Sequence, residues 1–195
     1  MIKKFLDKLF AVILLILLLP VLIVIAILIK NKISKDILFI QKRPGFLGRP
    51  FNLIKFKTMY DLKNENGELL DESKRVSNLG NWLRASSLDE LPSLINIIKG
   101  ELSFIGPRPL LMEYLKYYNK NEFKRHNVTP GLSGWAQING RNLLSWEKKF
   151  EMDLWYVENR TLILDFKILI ITIWKVIKRK GINRKNGDIM EKFKR

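Results

Sequence analysis

The sequence predicts an α/β protein, mainly helical with a small β-hairpin or sheet, and monotopic: held to a bilayer from one side by an N-terminal re-entrant helix. Three observations lead there. Twenty consecutive residues lack a polar side chain but contain a central proline, two β-favouring runs are separated by turn signals, and helical apolar periodicity recurs along the remainder. A chain of 195 residues accommodates one domain with appendages. The expected division is a membrane hairpin over residues 1–35, a cytoplasmic domain with interfacial amphipathic helices over 36–180, and a basic tail over 181–195.

The apolar run, residues 10–29 (FAVILLILLLPVLIVIAILI), would be about 30 Å long as a helix, enough to cross the hydrocarbon core. It exceeds the ~7 to 15 residues of a signal-peptide core, and no small-x-small cleavage site follows. A straight transmembrane helix is the default for such a run. Pro20 counts against it, because it removes a hydrogen bond to the Ile16 carbonyl and clashes with the preceding turn. The flanks count against it too. Lys3, Lys4 and Lys8 precede the run and Lys30, Lys32 and Lys35 follow it, so the positive-inside rule gives a span no orientation. A helix bent at Pro20 that enters and leaves by one face accounts for both facts.

Residues 37–40 and 51–59 (FNLIKFKTM) are β-favouring and are separated by RPG and LGRP, which predicts the hairpin. Residues 61–73 are polar around Gly67 and read as an exposed loop with helical fragments. Residues 91–98 are apolar and helix-like until KGELSFIGPRPLL, whose Gly106, Pro107 and Pro109 enforce an irregular loop. Residues 114–125 and 145–157 read as helices, the second with Trp146, Phe150, Leu154 and Val157 on one face. In residues 162–177 Phe166, Leu169, Ile173, Trp174 and Ile177 share one arc with the polar residues mainly opposite, an interfacial pattern that a soluble core helix also gives. Residues 175–195 carry nine basic and two acidic side chains, which favours contact with anionic headgroups.

Composition removes several function classes. Cysteine is absent, which excludes disulfides and thiolate chemistry, and with His126 the sole histidine a multi-histidine zinc site cannot form. Any metal must be held by oxygen, which suits Mg²⁺. Neither G-x-x-x-x-G-K-[ST] nor G-x-G-x-x-G occurs, so P-loop and dinucleotide-binding readings lack support. The formal charge of +16 would fit nucleic acid, but the lipid-compatible run argues for a membrane and against that partner.

Within this basic chain, residues 86–92 (SSLDELP) place Asp89 beside Glu90. Ser87 and Glu90 have the spacing of a capping box. Pro92 would then sit at the fifth helical position and forfeit a hydrogen bond, whereas a helix beginning near Asp89 would hold Pro92 in its tolerant first turn and aim its positive end at an anion. Basic residues punctuate the neighbouring loops: Lys55 and Lys57 in KFKTM, Arg84 before the acidic pair, Arg108 in GPRP. Arg matches phosphate with two parallel donors, so the set points to a phosphate-rich substrate.

LRASSLDELPSLINIIKGELSFIGPRPLL, preceded by KRPG and KFKTM and followed by TPGLSGWAQINGRN, resembles the monotopic phosphoglycosyl transferases, the bacterial polyprenol-phosphate sugar-1-phosphate transferases. The resemblance covers nearly the whole chain in unbroken motif order, at the length of the minimal members. It departs at Ser93, where the family commonly has Gln, and at Glu101, where it has Asp. What it implies is transfer of a sugar-1-phosphate from a UDP-sugar to polyprenol (undecaprenyl) phosphate, with release of UMP, at the cytoplasmic face of the inner membrane among its phospholipids. Asp89 would be the nucleophile of a two-step covalent mechanism, Glu90 its support, and Mg²⁺ the cofactor, held by Asp89 and Glu90. Lys55, Arg84, Arg108 and Arg141 would bind phosphate, and Asp153 matches an acidic family position that supports the site. By analogy with small members the expected sugar is an N-acetylated amino sugar such as di-N-acetylbacillosamine, with a hexose as the alternative. His126 reads as structural, and an oligomer is compatible with the sequence. A non-catalytic membrane-surface module is the rival from another class, and the CDP-alcohol phosphotransferases are disfavoured because D-G-x-x-A-R is absent.

Overall fold

The computed structural model describes residues 1–140, 143–178 and 193; Arg141 and the basic tail over 181–195 lie outside them, apart from Phe193. The architecture is mainly helical with two two-stranded sheets. Helices α1 (Ile2–Leu17) and α2 (Leu19–Lys32) meet at a bend of 64°. The break falls at Leu18 rather than at Pro20, which occupies the first turn of α2, where a missing N–H costs nothing. Pro20 still sets the bend's place, because its ring excludes a continuous helix through the turn before it. No single helix among the described residues is long and apolar enough to cross a membrane.

Strands β1 (Leu38–Pro44) and β2 (Pro50–Phe56) form an antiparallel hairpin in which Leu38 faces Phe56 and Pro44 faces Pro50. The two faces of β2 serve different neighbours. Phe51 and Leu53 bury against Ala11 of α1 and against Leu94 and Ile97 of α5 (Leu94–Lys99), while Phe56 on the other face joins Ile25 and Ile29 of α2 and Leu83 of α4 (Asn78–Ala85). Lys55 follows Phe51 and Leu53 at the strand period of two and continues their face. The exposed edge of β2 is stitched by side chains. Asn96 donates to the Asn52 carbonyl and accepts from Ile54 N–H, and Ser93 donates to the Ile54 carbonyl, at 2.7, 3.0 and 2.7 Å. Glu101 accepts from Asn96 at 2.7 Å. Both departures from the family pattern, Ser93 and Glu101, therefore belong to this scaffold, and Ser93 is fully buried in it.

Strands β3 (Ser103–Ile105) and β4 (Gly131–Ser133) pair in parallel, a sheet that three-residue strands without alternation do not announce. A Cβ on Gly131 would lie 2.0 Å from the Gly106 amide nitrogen, so this close approach requires glycine. The helix expected over 114–125 is broken into a 3-10 turn (Met112–Tyr117), α6 (Lys120–Phe123) and a second 3-10 turn (Lys124–His126), because Asn119 starts α6 with a capping box. The short α3 (Glu72–Arg75) ends the polar loop, and α7 (Trp135–Ile138) follows β4.

Helix α8 (Trp146–Asn159) buries Phe150, Asp153 and Tyr156, so an aspartate takes the inward place expected of Leu154. Helix α9 (Leu162–Ile177) keeps its expected bounds but inverts the soluble pattern. Its Asp165 and Thr172 turn inward, to Lys3 and Tyr156 and to Ser133, while Ile163, Phe166, Ile170, Ile173 and Ile177 are exposed. Lys3 and Asp7 of α1 bond Asp165 and Ser103 at 2.6 and 2.7 Å, which ties the N-terminal end of α1 to the domain.

Candidate active site

The acidic pair lies on a 3-10 turn, Leu88–Ser93, and not in the first turn of an α-helix; α5 begins only at Leu94. Ser87 makes no side-chain cap and adopts a left-handed conformation (φ 58°), so no capping box forms. The kinked entry and Pro92 hold the turn tight against β2. Glu90 is the hub of the cations. Its Oε1 accepts from Lys55 Nζ at 2.5 Å and from Arg108 Nη2 at 2.7 Å. Asp89 and Glu90 line a cleft of roughly 1630 Å³ together with Arg43, Lys55, Arg84 and Arg108. Such a volume exceeds what one small ligand needs.

Two layers of contacts position these groups. Arg84 at the end of α4 donates to Thr58 Oγ1 at 2.9 Å and faces the cleft from the far side of the turn. Arg108 rides on the GPRP loop after β3, and that loop is braced by arginines: Arg43 donates to the Pro109 carbonyl, and Arg125 donates to the Arg108 carbonyl at 2.8 Å. Asp153 of α8 bonds Arg125 at 2.6 Å in a pair that is almost wholly buried. Asp153 thus acts on the site through Arg125 and the loop. Lys57, the other lysine of KFKTM, is held by Asp61 at 2.5 Å at the cleft's edge.

Electrostatics separate the two carboxylates. Burial, and then the charge on Glu90, raise Asp89 to about 6, with Lys55, Arg108 and Arg84 opposing. Burial also opposes ionisation of Glu90, but Arg108 and Lys55 outweigh it and hold Glu90 well below the usual carboxylate range. Glu90 is therefore a fixed anion neutralised by cations, and Asp89 is a carboxylate that gains from any cation brought to it. Burial lowers Lys55, which Glu90 only partly offsets. Burial and then Arg108 push Arg43 down to about 10. His126 is buried against Tyr118 and Phe123, touches the Gly45 carbonyl, and is lowered by burial and Arg125 to about 4. It is a neutral core group.

The described residues contain no cluster of three or more acidic or imidazole groups able to hold a metal. Asp89 and Glu90 would be the residues to hold Mg²⁺, an ion that one or two carboxylates can bind together with substrate phosphates.

Asp89, Glu90, Lys55, Arg84 and Arg108 come together; Asp153, paired with Arg125, lines the same cleft, and Arg141 lies outside the described residues. Sequence reasoning missed Arg43, Thr58 and Arg125. Arg43 stood in KRPG, but nothing local distinguishes Arg125, whose role depends on Asp153 at a separation of 28 residues.

Comparison with known proteins gives the family. The family described as Bacterial sugar transferase matches residues 1–179. An uncharacterized sugar transferase, EpsL of Bacillus subtilis (strain 168), is 50% identical over 165 residues, covering 85% of this chain and 82% of its own. The UDP-glucose:undecaprenyl-phosphate glucose-1-phosphate transferases of Xanthomonas campestris pv. campestris and Escherichia coli (strain K12) are 35% and 36% identical over 91% and 90% of this chain. The chain spans only 39% and 40% of those two enzymes. With a family match over residues 1–179 and a half-identical relative covered over most of both chains, the chain belongs to the bacterial sugar transferase family and is an enzyme, not a surface-binding module.

Proposed function

We propose that the protein transfers a sugar-1-phosphate from a UDP-sugar to polyprenol phosphate, with Asp89 as nucleophile. The observation that carries this reading is the unequal carboxylate pair in a cleft walled by Lys55, Arg84, Arg108 and Arg43. An Asp89 oxygen bonds to the sugar-bearing phosphorus as the bond from that phosphorus to the bridging oxygen breaks, and the electron pair leaves with UMP. A polyprenol phosphate oxygen then attacks the same phosphorus and Asp89 departs as carboxylate, leaving polyprenyl-diphosphate-sugar. The surrounding cations offset the repulsion between an anionic nucleophile and an anionic diphosphate. Glu90 orients Lys55 and Arg108. Mg²⁺, when bound beside Asp89 and Glu90, supplies further neutralisation at the diphosphate.

Several relatives have names that specify glucose or galactose as the sugar. That favours a hexose-1-phosphate over di-N-acetylbacillosamine.

The membrane reading rests on where α1 and α2 touch the domain. Lys3 and Asp7 anchor one end and Ile25 and Ile29 the other, while Ile16, Leu17, Leu19, Ile23 and Val24 around the bend are exposed. Water disfavours such a knuckle and lipid accepts it. With the outward apolar face of α9, it supports a re-entrant hairpin in a protein resting on phospholipid, and the lysines on both flanks of the hairpin favour the cytoplasmic face of the inner membrane.

The test is a reaction with UDP-glucose and Mg²⁺ but no lipid acceptor. Wild type should release at most about one UMP per site and gain a hexose-phosphate mass on Asp89. Asp89→Asn should give neither, and an adduct mapped to Glu90 would exchange the two roles.

A further inference from the structure

One wall of the cleft has a polar group with nothing to bind. Gln137 of α7 lines the cleft, and its side-chain Nε2 and Oε1 are both sealed from solvent with no hydrogen-bond partner among the described residues. An unpaired buried amide is costly, so it calls for a ligand or a structural reason. Among the described residues nothing supplies such a partner. Ser133 and Thr172, the nearby hydroxyls on the same wall, bond each other at 2.6 Å, and Thr172 also donates to the Ile168 carbonyl. Phe104 of β3, Leu132 of β4, and Leu169 and Val176 of α9 add apolar lining to the same cleft.

We infer that Gln137 is a specificity-determining residue that, once its side chain turns from its sealed position into the cleft, pairs with the imide edge of uracil in a uridine nucleotide. The inference rests on the UDP-sugar reading above and adds the residue that would recognise the base. Three ligand groups could enter this wall, and chemistry separates them. A polyprenyl chain is apolar and would leave both amide atoms unpaired. A sugar acetamido group is a trans amide, whose N–H and C=O point in opposite directions, so one primary amide cannot engage both. Uracil presents an N–H beside a C=O on one edge, the complement of the Gln137 donor and acceptor, on a flat ring suited to the apolar wall. Position agrees as well. Oε1 of Gln137 lies 2.8 Å from where a Gly134 Cβ would be, and the same Cβ would sit 2.2 Å from the Gly106 carbonyl, so the amide borders the loop that carries Arg108. A nucleotide with its base on Gln137 could direct its phosphates along that loop toward the cations.

The experiment uses the full chain in detergent with Gln137→Leu and Gln137→Glu. Equilibrium binding of UMP reads base recognition without turnover, and KM and kcat are measured for UDP-glucose and UDP-N-acetylglucosamine. For Gln137→Leu we expect UMP affinity to fall about tenfold to a hundredfold, with KM rising comparably for both donors and kcat within about threefold of wild type, as loss of two buried hydrogen bonds predicts. Gln137→Glu keeps the acceptor for the ring N–H and should fall between. Thermal stability of Gln137→Leu should match or exceed wild type, because an unpaired amide has been exchanged for an apolar group. Unchanged UMP affinity overturns the inference, and so does a KM increase confined to the N-acetylated donor. A wild type that binds UMP through Gln137 yet transfers no sugar phosphate would sink the transferase reading and leave this one standing.

Discussion

Arg108 is the residue where charge and geometry can be separated. It donates to Glu90 through Nη2 while 45% of its side chain stays open to the cleft, leaving guanidinium edge for a phosphate. Arg108→Lys keeps the charge and loses the two-pronged donor, so kcat/KM should fall by at least about tenfold; full activity would show that Arg108 serves only as charge. Asp89 and His126 make opposite claims on stability. Asp89 is raised from its ordinary 3.8 to about 6, so its contribution falls as pH rises through that window. His126 is lowered from 6.5 to about 4, so its contribution is full above 6.5 and is lost as pH falls toward 4. The two displacements are similar in size and oppose each other between about pH 4 and 6. Asp89→Asn removes one of them. Its melting temperature should exceed that of wild type at pH 7, converge with it toward pH 4, and rise with pH where wild type is nearly flat. Parallel curves for the two proteins would contradict the raised pKa.

At the scale of elements, the GPRP loop depends on α8 and on the 3-10 turn before β4. Asp153 holds Arg125, and Arg125 holds the Arg108 carbonyl. Asp153→Ala would leave a buried guanidinium unpaired, a loss of about 3 to 5 kcal/mol that lowers the melting temperature and loosens the loop. Activity should fall even at temperatures where the variant is folded, because Arg108 loses its backing. Replacing both members, Arg125→Met with Asp153→Leu, should recover much of the stability but not the activity, since the donor to the Arg108 carbonyl is still gone. Recovery of both would reduce the pair to a packing element.

For the whole molecule, the question is on which side of the bilayer the chain begins. Both arms of the bent pair lie against one domain, and Lys3 is bonded to Asp165. Single cysteines placed at Lys4 and Lys35 should therefore behave alike toward an impermeant thiol reagent: protected in intact cells, labelled after lysis. Labelling of the Lys4 site alone in intact cells would require a span and reject the re-entrant hairpin. Pro20→Ala restores an N–H at the bend, and the straighter helix it permits should move the N-terminal site toward the outside.

The sequence by itself determined the family, the bent apolar helix pair and the bounds of α9, because twenty apolar residues, a mid-run proline and an uninterrupted series of motifs are local patterns that survive any packing. It also marked Asp89, Glu90, Lys55, Arg84 and Arg108 for one site. Tertiary structure decided how these groups divide the work. That Glu90 is neutralised and Asp89 is not depends on Lys55 arriving from β2 and Arg108 from beyond β3, separations of 35 and 18 residues that no window of sequence weighs. The parallel β3–β4 pair, the Arg125–Asp153 brace and the unsatisfied amide of Gln137 were invisible for the same reason. A hydrogen bond, or its absence, belongs to a pair of positions, and only the packed chain says which positions meet.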